Sequence, residues 1–142
     1  MKTRMKTKYS LYLLIVGFLF LFCLTDQSVA GDKVQLDILH MNHGPMRPTI
    51  AKIKVLLESY TDTIQASWYD FDTPAGKKFM KKQKLTGHIP MLLMLDGESD
   101  FSIESRDVRL SGFPTGASPF KKVEGNWSLD DLKIIFDQKT DS

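Results

Sequence analysis

A strand, an amphipathic helix and a second strand follow one another within residues 33–71, and this order constrains the fold more than any other feature. The segment KVQLDIL (33–39) is rich in residues that favour strands. Apolar residues then recur at helical spacing between Pro45 and Tyr60. The segment TIQASWYDF (63–71) is again typical of a strand. This order predicts a parallel crossover, because two parallel strands need a long connection between them.

The remainder of the chain predicts how the sheet is completed. A short basic helix, an apolar strand closed by an Asp-Gly turn, antiparallel strand material, a Gly- and Pro-rich loop and a last helix follow in order, at residues 74–85, 88–97, 100–112, 112–127 and from 129 onward. Thr73 and Ser128 are the expected N-caps, and Asp131 completes a variant of the capping box. We predict an α/β fold with a central mixed β-sheet flanked by helices on both faces.

The first 30 residues have the pattern of a secretory signal. Four basic residues precede an apolar run at 11–24, and small residues stand at Ser28 and Ala30, where a signal peptidase reads them. The run has 14 residues, fewer than the roughly 20 that span a bilayer as a helix; an uncleaved anchor is the alternative. We predict a signal peptide over 1–30, cleaved after Ala30, and one domain over 31–142. The domain is expected in the periplasm or outside the cell, with membrane contact only through the signal.

Removing the signal changes both the charge and the thiol content of the chain. The whole chain has 19 basic and 17 acidic residues, of which four and one lie in 1–30, so that 31–142 keep 15 and 16, a net charge of −1. A nucleic-acid partner is not expected of such a domain. The single cysteine, Cys23, also lies in the signal. The domain therefore forms no disulfide and performs no thiol chemistry.

Two segments carry a resemblance to a known family. In DILHMNHGPMRP (37–48), Asp37 is followed by five residues, then by His43-Gly44-Pro45-Met46 and a basic residue. This spacing resembles the active-site loop of the thioredoxin family, where Cys-Gly-Pro-Cys stands in place of His-Gly-Pro-Met. The segment TGHIPMLLMLDGES (86–99) is similar to the family's Gly-Ile-Pro-Thr segment, with Ile89-Pro90 at the position of its cis proline. The resemblance implies a thioredoxin-like fold over most of the domain.

The same comparison implies a redox site without its reactive groups. His43 and Met46 replace the two cysteines of the family pattern, and Asn42 replaces the tryptophan before them. A thiol-disulfide oxidoreductase is what the family label alone would suggest. Because 31–142 contain no cysteine, dithiol chemistry is excluded, and we do not expect an enzyme of this kind.

The first functional hypothesis is a protein- or peptide-binding accessory module. Redox relatives hold an extended peptide beside the cis proline by backbone hydrogen bonds. The expected groove residues are Asn42, Ile89, Pro90 and Phe113, and exposed aromatic residues of the loop at 112–127 would cover the groove or grip a partner. The expected partner is another extracytoplasmic protein or a peptide.

The second hypothesis is a soft-metal site, with copper as the candidate cofactor. A neutral imidazole and a thioether are ligands suited to Cu(I), and His43 and Met46 would supply them, with His40 as a third ligand. The alternative is that these residues have no chemistry: Met46 packs in the core and His43 faces water.

Asp37 matches a buried acid of the family pattern. In redox members of the family, the corresponding acid helps to transfer protons at a redox cysteine. This role has no counterpart in residues 31–142, which contain no thiol. A buried carboxylate is costly unless it is hydrogen-bonded. We therefore expect Asp37 to be buried beside a partner, with a nearby histidine as the natural candidate.

Overall fold

The computed structural model describes residues 32–118 and 120–141. The predicted signal peptide and its cleavage site lie outside these residues. The described elements, in chain order, are β1 (Val34–His40), α1 (Arg47–Leu57), β2 (Ile64–Asp70), α2 (Pro74–Lys82), β3 (Met91–Leu95), β4 (Asp100–Ile103), β5 (Arg106–Arg109) and α3 (Leu129–Thr140). No helix within this part of the chain combines the length and the apolar character needed to cross a membrane.

The observed order agrees with the predicted one at every element but one. Residues 100–112, predicted as antiparallel strand material and not divided further, contain the two strands β4 and β5, which pair with each other in antiparallel fashion. Glu104 takes a φ of +54° between them, and this left-handed conformation reverses the chain. The sequence prediction did not separate these two strands, because the turn between them is too short to be read from composition.

The central sheet has three strands in the order β2-β1-β3. Strand β1 is parallel to β2 and antiparallel to β3, so the sheet is mixed, as predicted. The chain just after β5 adjoins the outer side of β3. There the Leu93 N–H donates to the Leu110 carbonyl at 2.9 Å, and the Gly112 N–H donates to the Met91 carbonyl at 2.8 Å.

Helices cover both faces of this sheet, which confirms the predicted layering. On one face Leu36 and Ile38 of β1 belong to a large buried cluster with residues of α1 and α3. On the other face Leu39 packs with Phe79 of α2 and with Leu92. Successive residues of a strand point to opposite faces, and the apolar run of β1 therefore serves both layers.

The predicted caps and turn are present. The Thr73 hydroxyl accepts from the Gly76 N–H at 3.1 Å. At the start of α3, the Ser128 N–H donates to the Asp131 carboxylate at 2.8 Å, and the Asp131 N–H donates to the Ser128 hydroxyl at 3.1 Å. Asp96 and Gly97 have φ values of +48° and +85°, as a two-residue Asp-Gly hairpin turn requires.

A carboxylate network on α3 predicts a pH-dependent contribution to stability. Hydrogen bonds from Lys133 and then from Tyr60 hold the pKa of Asp137 below its usual range. A pKa lowered by folding stabilises the fold above the unfolded-state pKa, and this stabilisation is lost as the pH falls through the folded-state pKa. We expect Asp137→Asn to destabilise the protein near neutral pH, and the difference from wild type to shrink below about pH 4.

Urea unfolding at pH 7 and pH 3 measures this difference. Asp141→Asn, which removes a carboxylate one turn further along the chain, is the matched control. A difference between Asp137→Asn and wild type that stays constant over this pH range would contradict the assignment.

Candidate functional site

The segment after β1 and the segment before β3 lie side by side. Because β1 and β3 are antiparallel, with His40 opposite Met91, the end of one strand meets the start of the other. The Met41 N–H donates to the Pro90 carbonyl at 3.0 Å. The His43 carbonyl accepts from the Met46 N–H at 3.0 Å, and a single 3₁₀ turn over Gly44–Met46 leads into α1. The two segments singled out in the sequence are therefore brought together.

They enclose a groove of about 210 Å³, which we name the proline groove. Its lining consists of two methionines, two histidines, two prolines, two phenylalanines and a valine: Met41, Met46, His43, His88, Pro45, Pro90, Phe113, Phe120 and Val123. Five of these are predicted site residues, from the loop after β1, from the Ile-Pro segment and from the loop at 112–127. The lining is almost entirely apolar.

The proline groove has a buried floor and an exposed rim. Met41 and Met46 are 4% and 1% exposed, and Phe113 is 7% exposed. His43 and His88 are exposed, and Phe120 is 67% exposed. The expectation that Phe113 is an exposed aromatic was wrong. Its backbone pairs with the segment around Val123, and its side chain belongs to the core.

Two predicted site residues, His40 and Asn42, lie in a separate pocket of about 340 Å³ that we name the tryptophan pocket. Its lining residues are His40, Asn42, Arg47, Ile50, Ala51, Lys54 and Trp68. The His40 and Trp68 rings meet edge to face, with centroids 5.7 Å apart. Residue 40 shares a strand face with Ile38 and so projects on the α1 side. The structure therefore places His40 and Asn42 in a different pocket from His43, Met46 and Pro90.

The segment before β3 differs from the sequence-based expectation in two ways. Ile89 is half-buried and packs against the cluster of Leu39, Phe79 and Leu92, so it does not line the proline groove. No peptide bond in 32–118 or 120–141 is cis, and the bond before Pro90 is therefore trans. The expectation of a cis proline was wrong. The trans form is the lower-energy isomer of an X-Pro bond by about 0.5–1 kcal/mol.

Asp37 is half-buried on β1, not buried as expected. It shares a strand face with Leu39 and lies near Tyr69, which is two residues beyond Ser67, the partner of Asp37 on β2. Burial, with a further contribution from the Asp37 charge, raises the pKa of the Tyr69 hydroxyl. A tyrosine, and not a histidine, is thus the titratable group that the structure places beside this acid.

His88 was missed as a site residue. It lies two residues before Pro90 and on the rim of the proline groove, and its ring centroid is 6.1 Å from that of Phe71. The sequence did contain a signal for it: His88 immediately precedes Ile89-Pro90, and residues next to a groove proline also lie at the groove. The described residues contain no group of three or more His, Cys, Asp or Glu side chains arranged to hold a metal ion.

The chain matches no protein-family model, no curated protein and no solved structure.

Proposed function

We propose that this protein is an exported thioredoxin-like module without thiol-disulfide redox activity, which binds a segment of another extracytoplasmic protein in the proline groove. The observation that carries the proposal is the groove itself. A buried apolar floor with an exposed aromatic rim is the arrangement that protein-binding sites commonly use.

The thioredoxin-like assignment is supported by strand order and by the position of the two prolines. The sheet order is β2-β1-β3, with the first two strands parallel and the third antiparallel. Gly44-Pro45 follows β1 at the start of a helix, and Pro90 directly precedes β3. The trans bond at Pro90 is the main departure from the family pattern at this place.

Free backbone groups beside the proline groove support an extended peptide as the occupant. The Pro90 carbonyl is used by Met41. Among the described residues, the backbone N–H groups of His88 and Ile89 donate to no backbone carbonyl. Backbone groups of this kind pair with an incoming strand in β-augmentation. A volume of about 210 Å³ accommodates one or two apolar side chains of such a segment.

Phe120 offers a substitution that separates binding from folding. Its side chain is 67% exposed, while its N–H donates to the Ser118 hydroxyl at 2.9 Å and its carbonyl accepts from the Val123 N–H at 3.1 Å. These backbone bonds survive a change of side chain. We therefore expect Phe120→Ser to alter the free energy of unfolding by less than about 0.5 kcal/mol.

The same variant is expected to weaken peptide binding about ten- to a hundredfold, because burying a phenylalanine side chain contributes about 1.5–3 kcal/mol. Peptides are first selected from a random phage-displayed library on the purified protein, and their affinities are then measured by calorimetry. Val55→Ser is the matched control, since Val55 is 63% exposed on α1 and does not line the groove.

Loss of affinity in Phe120→Ser with full affinity in Val55→Ser supports the proposal. It is contradicted if the library yields no binder, or if selected peptides bind both variants as tightly as wild type.

A further inference from the structure

The heteroatoms of the proline groove are the least expected feature of its lining. Among the nine lining residues, the only side-chain atoms other than carbon and hydrogen are imidazole nitrogens and thioether sulfurs. An apolar docking groove needs neither. Two histidines from separate segments, His43 and His88, and two methionines, Met41 and Met46, thus share one small concavity.

We propose that the proline groove binds a single Cu(I) ion through these four side chains. The proposal goes beyond peptide binding and does not depend on it. It also changes the ligand set expected from the sequence, since His88 and Met41 enter and His40 leaves.

The donor types select the metal. Thioethers are soft, uncharged ligands that suit Cu(I), and imidazole binds it as well. Protein zinc sites are built from thiolate, imidazole and carboxylate, and neither a thiolate nor a carboxylate lines this groove. Calcium and magnesium require oxygen ligands, which the lining side chains do not provide. Copper in its reduced state is the ion that the set fits.

The burial of the four donor residues suits a metal site in which two ligands are held by the core and two can adjust their side-chain rotamers. Met41 and Met46 are 4% and 1% exposed, so core packing holds their thioethers. The imidazoles of His43 and His88 are exposed and can rotate toward an ion without disturbing the core. Phe113, Phe120 and Val123 complete the wall. Apolar surroundings exclude water and control the dielectric around a bound metal.

The test is a Cu(I) titration of the purified protein under anaerobic, reducing conditions, against a chromophoric chelator as competitor. Every protein carries Cys23→Ser, which removes the only thiol of the chain as a competing ligand. The variants are His43→Ala and His88→Ala, both at exposed positions, and Met46→Leu, which keeps the core volume. His40→Ala is the matched control, because the chain has only three histidines and His40 lies in the tryptophan pocket.

We expect one ion per chain, with at least about tenfold weaker binding in His43→Ala and in His88→Ala and unchanged binding in His40→Ala. X-ray absorption should show both nitrogen and sulfur neighbours of the copper, with less sulfur scattering in Met46→Leu. Absence of stoichiometric binding overturns the proposal, as does an equal loss in all three histidine variants or a copper without sulfur neighbours. Peptide affinity is measured without copper, so a failure of either proposal leaves the other result standing.

Discussion

Replacing Trp127 by alanine is expected to lower the free energy of unfolding by about 3–5 kcal/mol. Trp127 is fully buried, in the same cluster as Leu132 and Phe136 of α3. Its carbonyl accepts from the Thr115 N–H at 2.7 Å, so the residue also ties the loop at 112–127 to the core. Truncation removes a large apolar side chain and leaves a cavity that a packed core fills only in part.

Trp127→Phe separates packing from polarity. The indole Nε1 is buried and has no hydrogen-bond partner among the described residues, a situation that costs about 1–3 kcal/mol for a buried polar group. Phenylalanine removes this donor but keeps most of the aromatic volume. Trp127→Phe should therefore lower the free energy of unfolding clearly less than Trp127→Ala does. Urea unfolding followed by far-ultraviolet circular dichroism measures both variants. A decrease of less than about 1 kcal/mol in the free energy of unfolding of Trp127→Ala would contradict the full burial of Trp127.

Replacing Gly112 by alanine is expected to cost about 2–3 kcal/mol. Gly112 has a φ of +79°, and a Cβ there would lie 2.7 Å from the Val123 carbonyl oxygen and 3.0 Å from the Gly125 nitrogen. Both atoms belong to backbone that pairs with Phe113. The substitution therefore strains its own residue and also pushes away the segment that forms one wall of the proline groove.

Gly116→Ala is the control for backbone strain alone. Gly116 lies in the same loop, with a φ of +77°, but a Cβ there would meet nothing within 4 Å. Gly116→Ala should lower the free energy of unfolding by about 1 kcal/mol, and its peptide affinity should equal that of wild type. Chemical denaturation and calorimetry on both variants measure the difference. If alanine costs the same at 112 and at 116, close contact with the Val123 carbonyl is not what requires glycine.

Much of the fold was accessible from the sequence because its signals are local. A capping box at Ser128 or an Asp-Gly turn at 96–97 involves a few neighbouring residues, and each formed as predicted. The order of strands and helices likewise predicted a sheet covered by helices on both faces. The resemblance carried by the Asp-to-Gly-Pro spacing and the second proline also implied that the start of α1 and the start of β3 would share one groove.

What escaped prediction depends on orientation between distant segments. The two residues His40 and His43 are only three apart, but one ends a strand and projects beside α1 while the other begins a turn at the proline groove. The residue types alone do not show that His40 and His43 project in different directions. The burial of Phe113 depends on pairing with Val123, and the position of His88 at the proline groove depends on where β3 meets β1. Family analogy predicted a cis bond at Pro90, and it could not anticipate the trans bond.

The hydrogen bond from the Met41 N–H to the Pro90 carbonyl, at 3.0 Å, affects the entropy cost of binding in the proline groove. It joins the two backbone segments that line the proline groove before anything binds, and the methionine side chains of the lining are already buried. Little backbone entropy then remains to be lost on association, which is the physical meaning of preorganisation. An apolar occupant should accordingly bind with a negative heat-capacity change and with only rotamer adjustments at the rim.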